Sequence, residues 1–283
     1  MRPLALVGLT SFAAMGCAVS PSADGPDAEA TSTSAAAVVV VERTSGPGDA
    51  IRADAIVARF VRVRQGAVDD QTLRIAGVAQ DLPAVGTCSA RPDEDAHAAP
   101  SAQPRGVDLL DVGPVSFASS ATSSSSPSTV LLPRAMPDPA GLVSGVFYSA
   151  RSIEAFAPAA RLQLRASGGP DLLDGFAVNV AAPREVSDVH ATANGAGVDV
   201  AWDATDADLR DVVYVDVLGA NAHLVARCAT LDVGHLAIPA SALGSFEEGQ
   251  LAVHRVHRES FRAKGIEPGE VRFDVARVIA YHR

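Results

Sequence analysis

The chain predicts an all-β fold, two β-sandwich domains in tandem, on three observations. Apolar and polar residues alternate with a period of two in short runs. Turn-forming clusters separate the runs, and no long amphipathic helix stands between them. Leu162, Leu164 and Ala166 alternate with Arg161, Gln163 and Arg165; Phe176, Val178 and Val180 with Ala177 and Asn179. Val198, Val200 and Trp202 alternate with Asp199, Ala201 and Asp203, and Val271, Phe273 and Val275 with Arg272, Asp274 and Ala276. Each run reads as a strand with one face buried and one wet. Short strands at this spacing favour a sandwich over a parallel α/β fold. Two short segments, 240–246 and 259–264, are the helix candidates.

From the N-terminus, the first sandwich is expected over 37–183, with strands at 38–41, 55–63, 115–117, 130–132, 142–148, 161–166 and 175–180. Two low-complexity insertions interrupt it. Residues 92–105 are polar and proline-containing, and 119–128 are nearly all serine and threonine, so neither offers apolar side chains to a core. At Ala181-Ala182-Pro183-Arg184 a strand ends, a proline follows and a new set of strands begins, which places a domain boundary near 183.

The second domain, 184–283, opens after Pro183, carries Trp202 at the end of Val198-Asp199-Val200-Ala201, and continues with Val212-Val213-Tyr214-Val215-Asp216-Val217. A strand at 236–239, a loop to Leu243 and a strand at 250–253 follow. This segment resembles a fibronectin type III module, or a close immunoglobulin-like relative. The resemblance implies a β-sandwich and says almost nothing about function, because such folds host many roles. The tyrosine that usually begins the sixth strand of the family, tying down the preceding loop, is replaced here by Gln250 or Leu251.

The N-terminus supplies an address. Residues 1–16 carry one cation, Arg2, then an uncharged apolar stretch and Met15-Gly16, followed by Cys17. A run of about a dozen apolar residues is too short to span a bilayer and fits a secretory signal. The segment resembles a bacterial lipoprotein leader, which implies cleavage before Cys17 and acylation of its thiol; Ala14 departs from the leucine usual at that position. The alternative is an ordinary signal peptide cleaved nearby. Residues 17–36 are then a disordered tether, rich in Ser, Ala, Thr and Asp. The expected location is extracytoplasmic, lipid-anchored to a bacterial membrane, on its outer-membrane or periplasmic side.

A formal net charge of −10 argues against nucleic acid as a partner. Lys264 is the only lysine among many arginines, which reads as base-composition bias. Cys88 and Cys228 stand 140 positions apart. An oxidising compartment allows them to pair; otherwise Cys228, alternating inward with Leu224 and Ala226, is a buried thiol.

Chemistry-bearing motifs are sparse. His254 and His257 lie three apart on a strand and so point to opposite faces, which excludes a shared ion. Arg255, His257, Arg258, Arg262 and Lys264 form a basic cluster interspersed with Glu259 and Glu267, read as a solvated loop. Asp203, Asp206, Asp208 and Asp211 crowd one loop and are the candidate metal ligands. Arg210, however, stands where the calcium hairpin needs glycine, and no closing glutamate follows. Gly141-Leu142-Val143-Ser144-Gly145 has the wrong spacing for a serine elbow. No catalytic residue and no cofactor is assigned. The expected role is binding or scaffolding without catalysis, toward an envelope protein or polysaccharide; the alternative is an anchored glycan hydrolase using paired carboxylates.

Overall fold

Residues 35–46, 51–64, 70–90, 106–119, 128–136, 143–151, 160–205, 207–208 and 210–282 are described in the structure, a computed structural model. The expected leader with Cys17, nearly all of the expected tether, Asp206, residues 92–105 and most of 119–128 lie outside them.

Strand β1 (Ala35–Ser45) carries four consecutive valines, and its position explains them: it is central in the main sheet, antiparallel to β2 (Ile51–Val63) and parallel to β16 (Ile266–His282). Burial alternates along it: the odd-numbered residues from Ala35 to Ser45 are all buried, while on the other face Val38 is buried, Val40 half-buried and Glu42 exposed. The first half of the chain continues with α1 (Asp70–Ile75), β3 (Thr87–Ala90), β4 (Val107–Leu109), β5 (Val115–Ser119), β6 (Ser128–Ala135), β7 (Val143–Arg151), β8 (Arg161–Ala166) and β9 (Phe176–Ala181). The second half contains β10 (His190–Asn194), β11 (Gly197–Ala201), β12 (Val212–Leu218), β13 (Leu224–Leu231), β14 (His235–Pro239), α2 (Ala240–Leu243) and β15 (Glu248–Ala263), which precedes β16. The fold is all-β, as expected. The segment 259–264 is not helical: β15 runs through Ala263, because its long hairpin with β16 supplies cross-strand partners out to Ala263–Ile266.

Thirteen strands join in one sheet, ordered β3-β13-β12-β15-β16-β1-β2-β4-β7-β6-β5-β8-β9, and β10-β11-β14 form a second sheet. Residues 33–283 make one compact unit. Strands cross the boundary expected near 183: β1 pairs with β16, and β3 pairs with β13. The apolar cores nevertheless divide close to that point. One contains Val39, Val41, Phe60, Leu131, Tyr148, Leu162 and Leu164 together with Ile266, Val271 and Phe273. Its far side is closed where Phe176 on β9 stacks on Phe261 of β15, with ring centroids 6.0 Å apart. The other packs Val198, Val200 and Ile238 of the small sheet against Val213, Val215, Cys228, Leu251 and Val253 of the large one, around Trp202. The β15–β16 hairpin is shared, one end lying in each core.

The sheet face behind these cores is mixed, with arginines and carboxylates beside two small apolar clusters, one of Val61, Ala76, Val107, Leu109 and Val143 and one around Tyr214. The segment after α1 runs across it as a strap. Arg59, Arg272 and Arg227 donate to the carbonyl oxygens of Gly77, Val78 and Asp81, and Leu82 packs on Tyr214, Ala229 and Val256.

Candidate functional site

Alternation along β15 places residues 251, 253, 255, 257, 259, 261 and 263 on one face. Leu251 and Val253 enter one core and Phe261 and Ala263 pack on the other. Between them the same face carries Arg255, His257 and Glu259, so a polar stretch occupies the seam between two apolar bodies. Arg255 is 3% exposed and His257 8%. Neither belongs to a solvated loop, which corrects the reading of this basic cluster; the outer members Arg262 and Lys264 are indeed exposed, paired with Glu267 and Asp174.

Arg255 anchors the seam. Its Nε donates to Asp232 Oδ2 at 2.5 Å, and its terminal nitrogens donate to the carbonyl oxygens of Arg184, Glu185 and Asp203. Asp232 also accepts from Trp202 Nε1 at 2.7 Å, so its two carboxylate oxygens hold the tryptophan and the arginine together. Nearby, buried Arg43 pairs with Asp54 and Glu185.

Residues 203–205, 207–208 and 210–211 lie at the seam beside β15. Their aspartates shape the chain: Asp203 Oδ1 accepts from the Thr205 amide and Asp208 Oδ1 from the Arg210 amide, each a turn closed by a side chain two residues back. Hydrogen bonds from the Thr205 side chain and then its backbone amide hold the Asp203 carboxyl below its usual range. The Arg210 guanidinium, clasping Asp208 side on, does the same to Asp208 more strongly. Asp211, 3% exposed, points down onto β15, where its Oδ1 lies 2.7 Å from His257 Nδ1. The other ring nitrogen, Nε2, lies 3.2 Å from Glu259 Oε1. The bond to Asp211 raises the pKa of His257 against the opposing effect of burial.

Of the four candidate aspartates, the structure thus brings Asp208 and Asp211 together and adds His257 from β15. The three offer ligand atoms within 4.8 Å of one another. Asp203 is outside the cluster, and Asp206 lies outside the described residues. An open groove of about 290 Å³ runs over them, lined also by Ala182, Pro183, Arg184 and Ala207. In the sequence His257 pairs with neither His254, which faces the other way, nor visibly with Asp211, 46 positions before it. The signal was there: the alternation Leu251, Val253, Arg255, His257, Glu259, Phe261 enters and leaves a core without losing phase.

His254 is on the opposite face, as its spacing requires. It stacks on Tyr214 with ring centroids 4.2 Å apart and shares Asp274 with the Tyr214 hydroxyl. Burial and Asp274 push the Tyr214 pKa far upward. Cys88 and Cys228, directly opposite on β3 and β13, are joined by a disulfide. Ser144 lies in β7, where its hydroxyl bonds Arg64 and Asp108, so the local chain is a strand and not an elbow. Comparison with known proteins finds no family model that matches this chain and no curated protein similar to it.

Proposed function

We propose that this chain is an exported lipoprotein, tethered to a bacterial membrane through acylated Cys17, that binds or scaffolds a cell-envelope protein or polysaccharide without catalysis. The observation that carries the non-catalytic reading is the commitment of the groove's polar groups to one another. Asp208 is held by Arg210, His257 stands between Asp211 and Glu259, and Arg255 is neutralised by Asp232. The described lining residues include no hydroxyl or thiol side chain to serve as a nucleophile. A glycan hydrolase needs open space between two carboxylates for a sugar and a water. Here the imidazole of His257 fills the space between Asp211 and Glu259. The hydrolase therefore ranks second.

The finer fold reading is two sandwiches in tandem, the second resembling a fibronectin type III module. Its support is the strand arrangement: β10-β11-β14 faces the run β13-β12-β15-β16 across a core containing Trp202. The lipid anchor rests on the sequence of the leader; among the described residues no helix is long and apolar enough to cross a membrane.

Two measurements test the proposal. Cys17→Ser should move the protein from the membrane fraction to the soluble one, and membrane retention of that variant would overturn the anchor. Crosslinking in intact cells should recover a defined envelope partner. Release of reducing ends from envelope glycan preparations by the purified protein would instead favour the hydrolase.

A further inference from the structure

We propose that Asp208, Asp211 and His257 bind one divalent first-row transition metal ion, with Glu259 as the outer carboxylate that orients the imidazole. The inference goes beyond the binding role above and does not depend on the lipid anchor, so the fate of Cys17→Ser leaves it untouched.

The geometry comes from two separated stretches of chain. Asp208 and Asp211 belong to the loop between β11 and β12, and His257 lies 46 residues beyond Asp211 on β15. Around a tetrahedral ion with bonds of about 2.0–2.2 Å, ligand atoms stand about 3.3–3.6 Å apart. The three ligand atoms here lie within 4.8 Å of one another, so an ion is enclosed by movements of about an ångström. Asp211 Oδ1 and His257 Nδ1, now 2.7 Å apart, must part by about half an ångström or more to admit the ion, while Asp208, with 32% of its side chain exposed, moves in toward them. Its partner Arg210 is 74% exposed and is free to swing outward as the ion takes its place.

The second shell separates this arrangement from a chance gathering of acids. A metal-bound histidine characteristically donates its far N–H to a carboxylate, which sets the tautomer and aims the near nitrogen at the metal. His257 has that disposition. Nε2 faces Glu259 Oε1 at 3.2 Å, and Nδ1 is directed at Asp211 and the space beside Asp208. The ion takes the position that the Nδ1 proton holds in the metal-free protein.

Charge and donor type select the class of ion. Two carboxylates and a neutral imidazole bring two negative charges, which match a divalent cation. Calcium prefers six to eight oxygens, and this set includes a nitrogen. Imidazole with carboxylate suits zinc and its first-row neighbours. The groove above leaves a coordination position facing solvent, where water or an anionic group of a ligand can bind.

The test uses the purified full-length chain in detergent, freed of metal by chelation, with Zn2+ and Co2+ as probes. Calorimetry should show one equivalent of Zn2+ binding with a Kd in the micromolar range or below, and Ca2+ binding at least 10-fold more weakly. Bound Co2+ should display the visible bands of a low-coordinate site with nitrogen and oxygen ligands. Asp208→Asn, at a partly exposed position where the amide oxygen can still accept from the Arg210 amide, should weaken Zn2+ binding at least 10-fold. Glu259→Gln should cost about 10–100-fold, and His257→Gln should abolish binding. His282→Gln, at an exposed histidine, should change nothing. Unaltered Zn2+ affinity in both Asp208→Asn and His257→Gln, or no saturable binding by the wild-type chain below 1 mM, overturns the proposal. So does a preference for Ca2+.

Discussion

Removing the Asp232 carboxylate should loosen the seam between the two cores. In Asp232→Ala the Arg255 guanidinium, whose side chain is 4% exposed, loses its only counter-ion among the described contacts and keeps three carbonyl acceptors. Breaking one partner of a buried pair costs about 3–5 kcal/mol, and the remaining carbonyls place Arg255 at the lower end. Trp202 Nε1–H, left without its acceptor, adds about 1 kcal/mol or more. The sum is about 4 kcal/mol, or a fall in Tm of about 8–16 °C for a folded unit of this size. Thermal unfolding followed by circular dichroism measures it. The double variant Asp232→Leu/Arg255→Met removes both charges and should recover at least about 1.5 kcal/mol relative to the sum of the single variants. A loss under about 1 kcal/mol in Asp232→Ala, or strict additivity in the double variant, would refute the reasoning. Because Arg255 also holds the Asp203 carbonyl, the single variant should in addition expose the amides of residues 203–205 to faster hydrogen exchange.

Three further outcomes follow from packing and covalent linkage. The disulfide between Cys88 and Cys228 closes a loop with a sequence separation of 140, worth about 4–5 kcal/mol by loop entropy. Reductant should lower the urea midpoint of the wild-type chain and leave Cys88→Ala/Cys228→Ala unaffected; equal midpoints with and without reductant would argue against the bond. Tyr148→Phe removes the hydroxyl that accepts from the buried Val112 amide and donates to Asp111, and should cost about 1–3 kcal/mol in denaturant titration. Gly145→Ala should destabilise by at least about 2 kcal/mol. Its φ is +119°, and an added Cβ would stand 1.9 Å from the Leu109 carbonyl oxygen, so near-wild-type stability there would contradict the β4–β7 pairing.

Most strands were legible because a half-buried strand writes its faces into the chain. The runs at 161–166 and 176–181 appear with their inward residues turned to the core, Leu162, Leu164, Ala166 and Val180 buried and Phe176 and Val178 partly so, as alternation requires. Strand β3 was not legible: Thr87–Ala90 is four residues long, and what makes it a strand is the β13 edge and the disulfide beside it. The extension of β15 beyond residue 258 was hidden for a related reason. Its charged residues suggest a loop, and only the partner strand supplies the hydrogen bonds that hold them extended.

By itself, the sequence determined the all-β class, the inward phase of its strands and the opposite facing of His254 and His257, because these follow from local backbone period. The proposed lipid anchor likewise rests on the composition of residues 1–36, which packing does not alter. Tertiary structure alone decided that β16 lies beside β1, that the β15–β16 hairpin spans both cores, and that Asp211, His257 and Glu259 meet at the seam between them. Those contacts join residues far apart in the chain, and which distant segments pair is set by the total apolar surface they bury together, a quantity no local window contains.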